Sequence, residues 1–246
     1  MRNQPNGNRH RLSLRGPLHT GDRRRRKDRV AYLLAGLLLC GLIIIFQAGA
    51  DAAGKAALSE CKVIIDAGHG GFDPGAIGVA TGVHEDEINL AVSKKLEAEL
   101  KSRGIQVEMT RTDDGALGHT KKEDMQTRRD LITNSNADLA VIVHMNALNS
   151  SSVSGPMVIY YPGSIEGEKI ASILQDTLNE RLQPPKPKKV CSEVYYLLKS
   201  GPITCVIVEC GFLSNPREEG LLQQEDYQQQ IATAIADGVE AYLLEK

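Results

Sequence analysis

The chain has 246 residues, room for one domain of ordinary size and some extension. Its formal charge of −2 conceals two unlike parts: residues 1–29 hold ten Lys/Arg against two Asp, and the remainder holds nineteen against twenty-nine Asp/Glu. A basic head and an acidic body exclude a common environment, and because the basic run abuts an apolar stretch, membrane orientation and anionic lipid replace nucleic acid as its explanation.

Residues 1–29 are polar and rich in Asn, Gly and Arg, which predicts a disordered basic tail. It ends in RRRRKDR (23–29), and VAYLLAGLLLCGLIIIFQAGA (30–50) follows with no charge. That length crosses a hydrocarbon core of about 30 Å as a helix. Arginines ahead of the span place the tail in the cytoplasm and the acidic body outside it. The alternative is a cleaved signal peptide and secretion, but such apolar cores usually run only ~7–15 residues. The reading is therefore a single-pass anchor, a linker over 51–60, and one globular domain over 61–246.

CKVIIDAG (61–68) is a continuous apolar run of the kind found in buried strands. EINLAVSKKLEAELKSRG (87–104) places Ile88, Ala91, Val92, Leu96 and Leu100 on one helical face, stopped by Gly104. IQVEMTR (105–111) alternates as a strand, and a helix follows around 124–135. ADLAVIVHMNA (137–147) and MVIYYP (157–162) hold further strands. Residues 164–182 form a helix opened by Ser164 as cap, PPKPKK (184–189) is a loop, and VYYLL (194–198) reads as a short strand. TCVIVECG (204–211) is another buried strand, and the last helix runs from about Asp226 to the end. Apolar strands alternating with amphipathic helices predict an α/β domain: a mostly parallel twisted sheet with helices on both faces.

In such sheets ligands bind beyond the carboxyl ends of the strands. Three nearly pure aliphatic strands end there in chemistry-bearing groups. VIID leads to His69, AVIV to His144 and then Asn146, and CVIV to Glu209. One such event is unremarkable, whereas three define a convergent site. A carboxylate inside a buried strand is costly unless paired or bound to metal, so Glu209 resists a bland explanation. Two imidazoles suggest zinc, which needs a third protein ligand and an open position. His84, Glu85, Asp86 and Glu87, at the start of the first helix, are the candidates. His119 reads as a solvated loop residue and Arg129 as a structural salt-bridge partner. Cys61, Cys191, Cys205 and Cys210 show no CxxC spacing, which argues against a cysteine zinc site, and most read as small buried hydrophobes. The composition leaves little aromatic lining for a sugar groove, with no Trp and ten Phe/Tyr.

GHGGFDPGAIG (68–78), EDEINLAV (85–92), RRDLITNSNADLAVIVHMNA (128–147) and VIVECGFLSN (206–215) together resemble the four motif regions of zinc-dependent N-acetylmuramoyl-L-alanine amidases. The branch most similar is the membrane-anchored, spore-cortex one, in which stem-peptide removal precedes muramic δ-lactam formation. The resemblance implies zinc on His69, Glu85 and His144, with Glu209 as general base and acid. It also implies peptidoglycan as substrate and an activator protein as a plausible partner. Gly70 and Gly71 would let the glycan–peptide approach the metal, and Asn146 would contact substrate. Three other readings compete: a silent peptidoglycan-binding protein on the same fold, a thiol hydrolase using Cys210, and a membrane-anchored adaptor. Cys210 and Glu209 are strand neighbours and must face opposite sides, so only one can serve.

Overall fold

The computed structural model describes residues 52–246 except Ser200, together with Arg29, Tyr32, 38–42, Ile45 and Phe46. The basic tail and most of the apolar span 30–50 lie outside the described residues. Those described within 30–50 are helical, and Leu38, Leu39, Ile45 and Phe46 present exposed apolar side chains. Among the described residues no helix is long and apolar enough to cross a membrane. The expected linker is helical over 52–59, and its Leu58 is 2% exposed within the main core, so the compact unit begins at Ala52.

Six strands form one sheet: β1 (Lys62–Ala67), β2 (Gln106–Met109), β3 (Leu139–Asn146), β4 (Met157–Tyr160), β5 (Cys191–Ser192) and β6 (Thr204–Phe212), in the order β2-β1-β3-β6-β4-β5. All neighbours pair parallel except β4 with β6. Helices α1 (Glu85–Ser102), α3 (Ile165–Leu182) and α5 (Glu225–Leu244) pack together over one face. Helix α2 (Lys121–Asn134) and a 3-10 turn (Leu197–Lys199) cover the other. The central strands are therefore buried on both sides, which is why they read as unbroken aliphatic runs. From β1 the chain passes to β2 on one side and returns to β3 on the other. That is a topological switch point, with its crevice between the ends of β1 and β3.

Two local readings change. VYYLL does not join the sheet: the short strand ends before it at Cys191–Ser192, and Tyr195 and Tyr196 lie outside the sheet. The Tyr196 hydroxyl donates to Gln126 Oε1 at 2.9 Å, and the Arg129 guanidinium lies 5.2 Å over its ring. A short helix α4 (Pro216–Leu222) was not expected, being too brief for periodicity. Its signal was Asn215–Pro216, a cap residue followed by proline at the first helical position.

Arg128 is buried and charged, one residue from the arginine picked out in the sequence. It is 1% exposed, pairs with Asp66 at 2.8 Å and Asp124 at 2.7 Å, and donates to the carbonyls of Ala67 and His69. Removing it strands two buried carboxylates. Arg128→Met is expected to cost ~3–5 kcal/mol, read as a large drop in the urea midpoint of the full-length protein.

Candidate metal centre and active site

Register decides what shares the crevice. Asp66 pairs with Ile142, and His144 with Glu209, so Asp66, Ile142, His144, Ile207 and Glu209 all project from one sheet face. His69 reaches the same place from the loop after β1. Its φ of 62° is the left-handed region that a non-glycine residue adopts only when its surroundings impose it. Here they do: Arg128 holds the His69 carbonyl, Arg111 holds those of Ala67 and Gly68, and the Gly68 N–H donates to Val143. The glycines beside it have a steric reason. A Cβ on Gly68 would fall on the His144 ring, and one on Gly75 would lie 2.5 Å from Glu85 Oε2 and 2.7 Å from His69 Cδ2.

Glu85 opens α1 and is almost fully buried between the two histidines. Its Oε1 lies 2.7 Å from His144 Nδ1 and its Oε2 lies 3.3 Å from His69 Nε2. The imidazole rings are edge-on, with centroids 4.9 Å apart. One donor atom from each of His69, Glu85 and His144 falls within 4.8 Å of the others. Two imidazoles and a carboxylate are a donor set that zinc accepts, and these residues fit such an ion. Asp73 holds the far nitrogen of His69, at 3.0 Å from Nδ1, which leaves Nε2 for a metal. Asn89, one helical turn beyond Glu85, donates to Glu85 Oε1 at 3.2 Å and to the Gly68 carbonyl at 3.1 Å. Burial opposes charge on Glu85, but hydrogen bonds from both histidines win and hold its carboxyl far below the usual range. Burial likewise opposes the charge of His69, and Glu85 and Asp73 outweigh it, raising that pKa.

Glu209 lies across from His144 but outside the trio. Its Oε2 is shut off from solvent with no hydrogen-bond partner among the described residues. Burial pushes its pKa up to about 7, with His144 lowering it and Glu85 raising it further. Glu209, His144 and His69 line a cavity of about 380 Å³, roofed by α2 and by Tyr195, Tyr196 and Leu197.

Of the residues singled out in the sequence, His69, Glu85, His144 and Glu209 meet at this crevice. Gly70 and Gly71 do not face open space. A Cβ on either would strike the 115–116 loop, at 2.8 Å from the Gly115 carbonyl and 2.7 Å from Ala116 N, so packing explains them. Asn146 follows a β-bulge beyond His144 and does not line the cavity; its carbonyl accepts from Leu213 N. Cys210 is fully buried in the opposite core, and burial pushes its thiol well up, which removes it as a nucleophile. His84 is the N-cap of α1 without a side-chain cap bond and with its ring 46% exposed. His84→Ala is expected to keep metal content and turnover within about twofold of wild type, checked by zinc per chain and rate on one preparation. Asp73, Asn89 and Arg128 were missed. The first two stand four residues after a metal-site residue, a spacing that could have flagged them.

Residues 63–241 match the sequence profile of the N-acetylmuramoyl-L-alanine amidase family. A germination-specific N-acetylmuramoyl-L-alanine amidase of Bacillus subtilis is 34% identical over 197 residues, 77% of this chain and 82% of that protein. Among solved structures, the CwlD amidase of Clostridioides difficile, in complex with the GerS lipoprotein, superposes with a TM-score of 0.73 at 35% identity, covering 76% of this chain and all of that one. An N-acetylmuramoyl-L-alanine amidase from Clostridium difficile 630 gives 0.69 at 32%, covering 74% and 96%. The profile spans both histidines, Glu85 and Glu209, the residues that the fold draws into one crevice, and on this match the chain belongs to the N-acetylmuramoyl-L-alanine amidase family.

Proposed function

We propose that this amidase is zinc-dependent and cuts the amide joining the muramic lactyl group to the L-alanine of the peptidoglycan stem. The observation that carries the reading is a His–Glu–His trio with Glu209 on the strand next to that of His144, its Oε2 buried without a hydrogen-bond partner among the described residues. His69, Glu85 and His144 would hold the ion, which when bound supplies Lewis acidity toward water and a carbonyl oxygen. Glu209 Oε2 is free to take a proton from the attacking water as the new C–O bond forms. It then delivers that proton to the alanine nitrogen as the C–N bond breaks, so that the leaving group departs as a neutral amine. In the metal-free chain burial raises the Glu209 pKa to about 7, a shift toward holding the proton between the two transfers.

The finer placement is also a proposal. Likeness to a germination-specific amidase supports a role in cortex peptidoglycan, ahead of δ-lactam formation. Likeness to an amidase solved with a lipoprotein supports a protein partner that assists this chain. The basic run before an uncharged stretch supports an anchor that keeps the domain outside the cytoplasm.

The test is to incubate purified full-length protein with denuded peptidoglycan, with zinc or with chelator, and to analyse the products by mass spectrometry. Zinc-dependent release of stem peptides bearing a free L-alanine amine is expected. Release that persists in chelator would sink the zinc mechanism, and cleavage at a sugar linkage or a later peptide bond would sink the bond assignment.

A further inference from the structure

The cavity beside the trio is lined by four carboxyl groups, Asp66, Asp73, Asp124 and Glu209, and by two cations, Arg128 and Lys121. Arg128 is committed to two buried carboxylates and two carbonyls, so it has little left for a ligand. Lys121 differs. Its side chain is 68% exposed and Nζ lies 3.2 Å from Asp73 Oδ2, its one partner found among the described residues. An ammonium has three N–H donors, so two remain for a ligand. Its position is also locally unfavourable. Lys121 is the first residue of α2, and a helix N-terminus prefers anions. A residue that breaks a local rule at a cavity mouth points to a use outside the helix.

At the cavity mouth Asp73 would disfavour a substrate carboxylate unless a cation meets it. In peptidoglycan the residue after L-alanine is a γ-linked D-glutamate, whose α-carboxylate is free in some walls and amidated in others. On the amidase reading above, we propose that Lys121 receives this α-carboxylate and sets a preference for the free-acid stem over the amidated one. The lengths agree. The carboxylate stands one residue, ~3.6 Å, and a few bonds past the scissile nitrogen. Lys121 stands two polar contacts from the metal-site His69, through Asp73 at 3.0 and 3.2 Å. Lys121 is thus a specificity-determining residue, offering its charge while Asp73 holds the ammonium over the cavity mouth.

The test uses the zinc-loaded full chain and two substrates, N-acetylmuramoyl-L-alanyl-γ-D-glutamate and its α-amide, together with calorimetric titration of the two product dipeptides. Wild type is expected to favour the acid by about tenfold in kcat/KM and in dipeptide affinity. Lys121→Gln should erase that preference by lowering the acid alone, Lys121→Arg should keep it, and Lys121→Glu should invert it, all with unchanged zinc content. A wild type that does not discriminate would overturn the proposal. So would a Lys121→Gln protein in which both substrates fall together with zinc content, since Lys121 would then act only through Asp73 on His69. If zinc-loaded wild type cleaves neither substrate, the chain does not act alone on them, and the dipeptide titration separately decides whether Lys121 binds the carboxylate.

Discussion

Glu209→Gln is expected to lower kcat for amide hydrolysis by about 10²–10⁴-fold while zinc stays at one per chain. The amide keeps the shape of the carboxylate but neither takes a proton from water nor returns one to an amine. Glu209 lies outside the set of atoms able to converge on an ion, so the ligand trio is left intact. The fold should not suffer, because Oε2 has no hydrogen-bond partner among the described residues to lose. The metal-free proteins should differ in their pH dependence. Burial raises the folded pKa of Glu209 to about 7, above its unfolded value of 4.5. As pH rises between those values, the unfolded chain releases the proton first, so this group subtracts stability. Glu209→Gln should remove that decline, leaving the chelated variant as stable as wild type at pH 4 and more stable at pH 7. Thermal melts at both pH values, with zinc content and turnover from the same preparation, check all three parts. Loss of zinc together with turnover would make Glu209 a ligand and end its assignment as proton carrier.

The sheet was readable because burial on both faces writes itself as uninterrupted Val, Ile and Leu, and the groups that end such strands stand out against it. His69, His144 and Glu209 emerged on that ground alone. The third ligand position did not: His84, Glu85, Asp86 and Glu87 differ only in which way one turn of helix aims them. Family likeness pointed to Glu85, and the fold places it between the histidines with His84 outside. The supporting shell was less legible because its signals are non-local or off by one. Arg128 and Arg129 are adjacent in sequence, yet one has its charge buried against Asp66 and Asp124 while the other stacks on Tyr196. Tyr195 and Tyr196 looked like strand residues because aromatic residues favour strands. Their roof over the cavity depends on α2, whose partnership with them no local pattern records. Gly70 and Gly71 looked like space kept for a ligand, and that space belongs to the 115–116 loop.

Glu85→Gln is expected to abolish zinc binding at micromolar metal and, with it, all measurable hydrolysis. The carboxylate does three things that an amide does not. It supplies the only negative charge in the His69–Glu85–His144 set, which a divalent ion needs alongside two neutral imidazoles. It accepts at both oxygens: Oε1 from Met145 N at 3.0 Å and Asn89 Nδ2 at 3.2 Å, Oε2 from Ala76 N at 2.8 Å. It also faces both imidazoles at once. Glutamine offers one acceptor oxygen and must turn an NH₂ toward donors on its other side, so a buried donor is left unpaired at a cost of ~1–3 kcal/mol. The pH dependence follows from sign. The folded pKa of Glu85 is depressed, so the stability it lends the metal-free protein is complete above the unfolded value and is lost as pH falls. Glu85→Gln should therefore be less stable than wild type at pH 7 and converge on it under acid. Chelator competition for zinc, paired with melts across pH 3–7, reads both effects. Wild-type zinc affinity in this variant would move the third ligand to another residue of the 84–87 turn, with Asp86 the first to test, because it is the other buried carboxylate there and has an unpartnered oxygen.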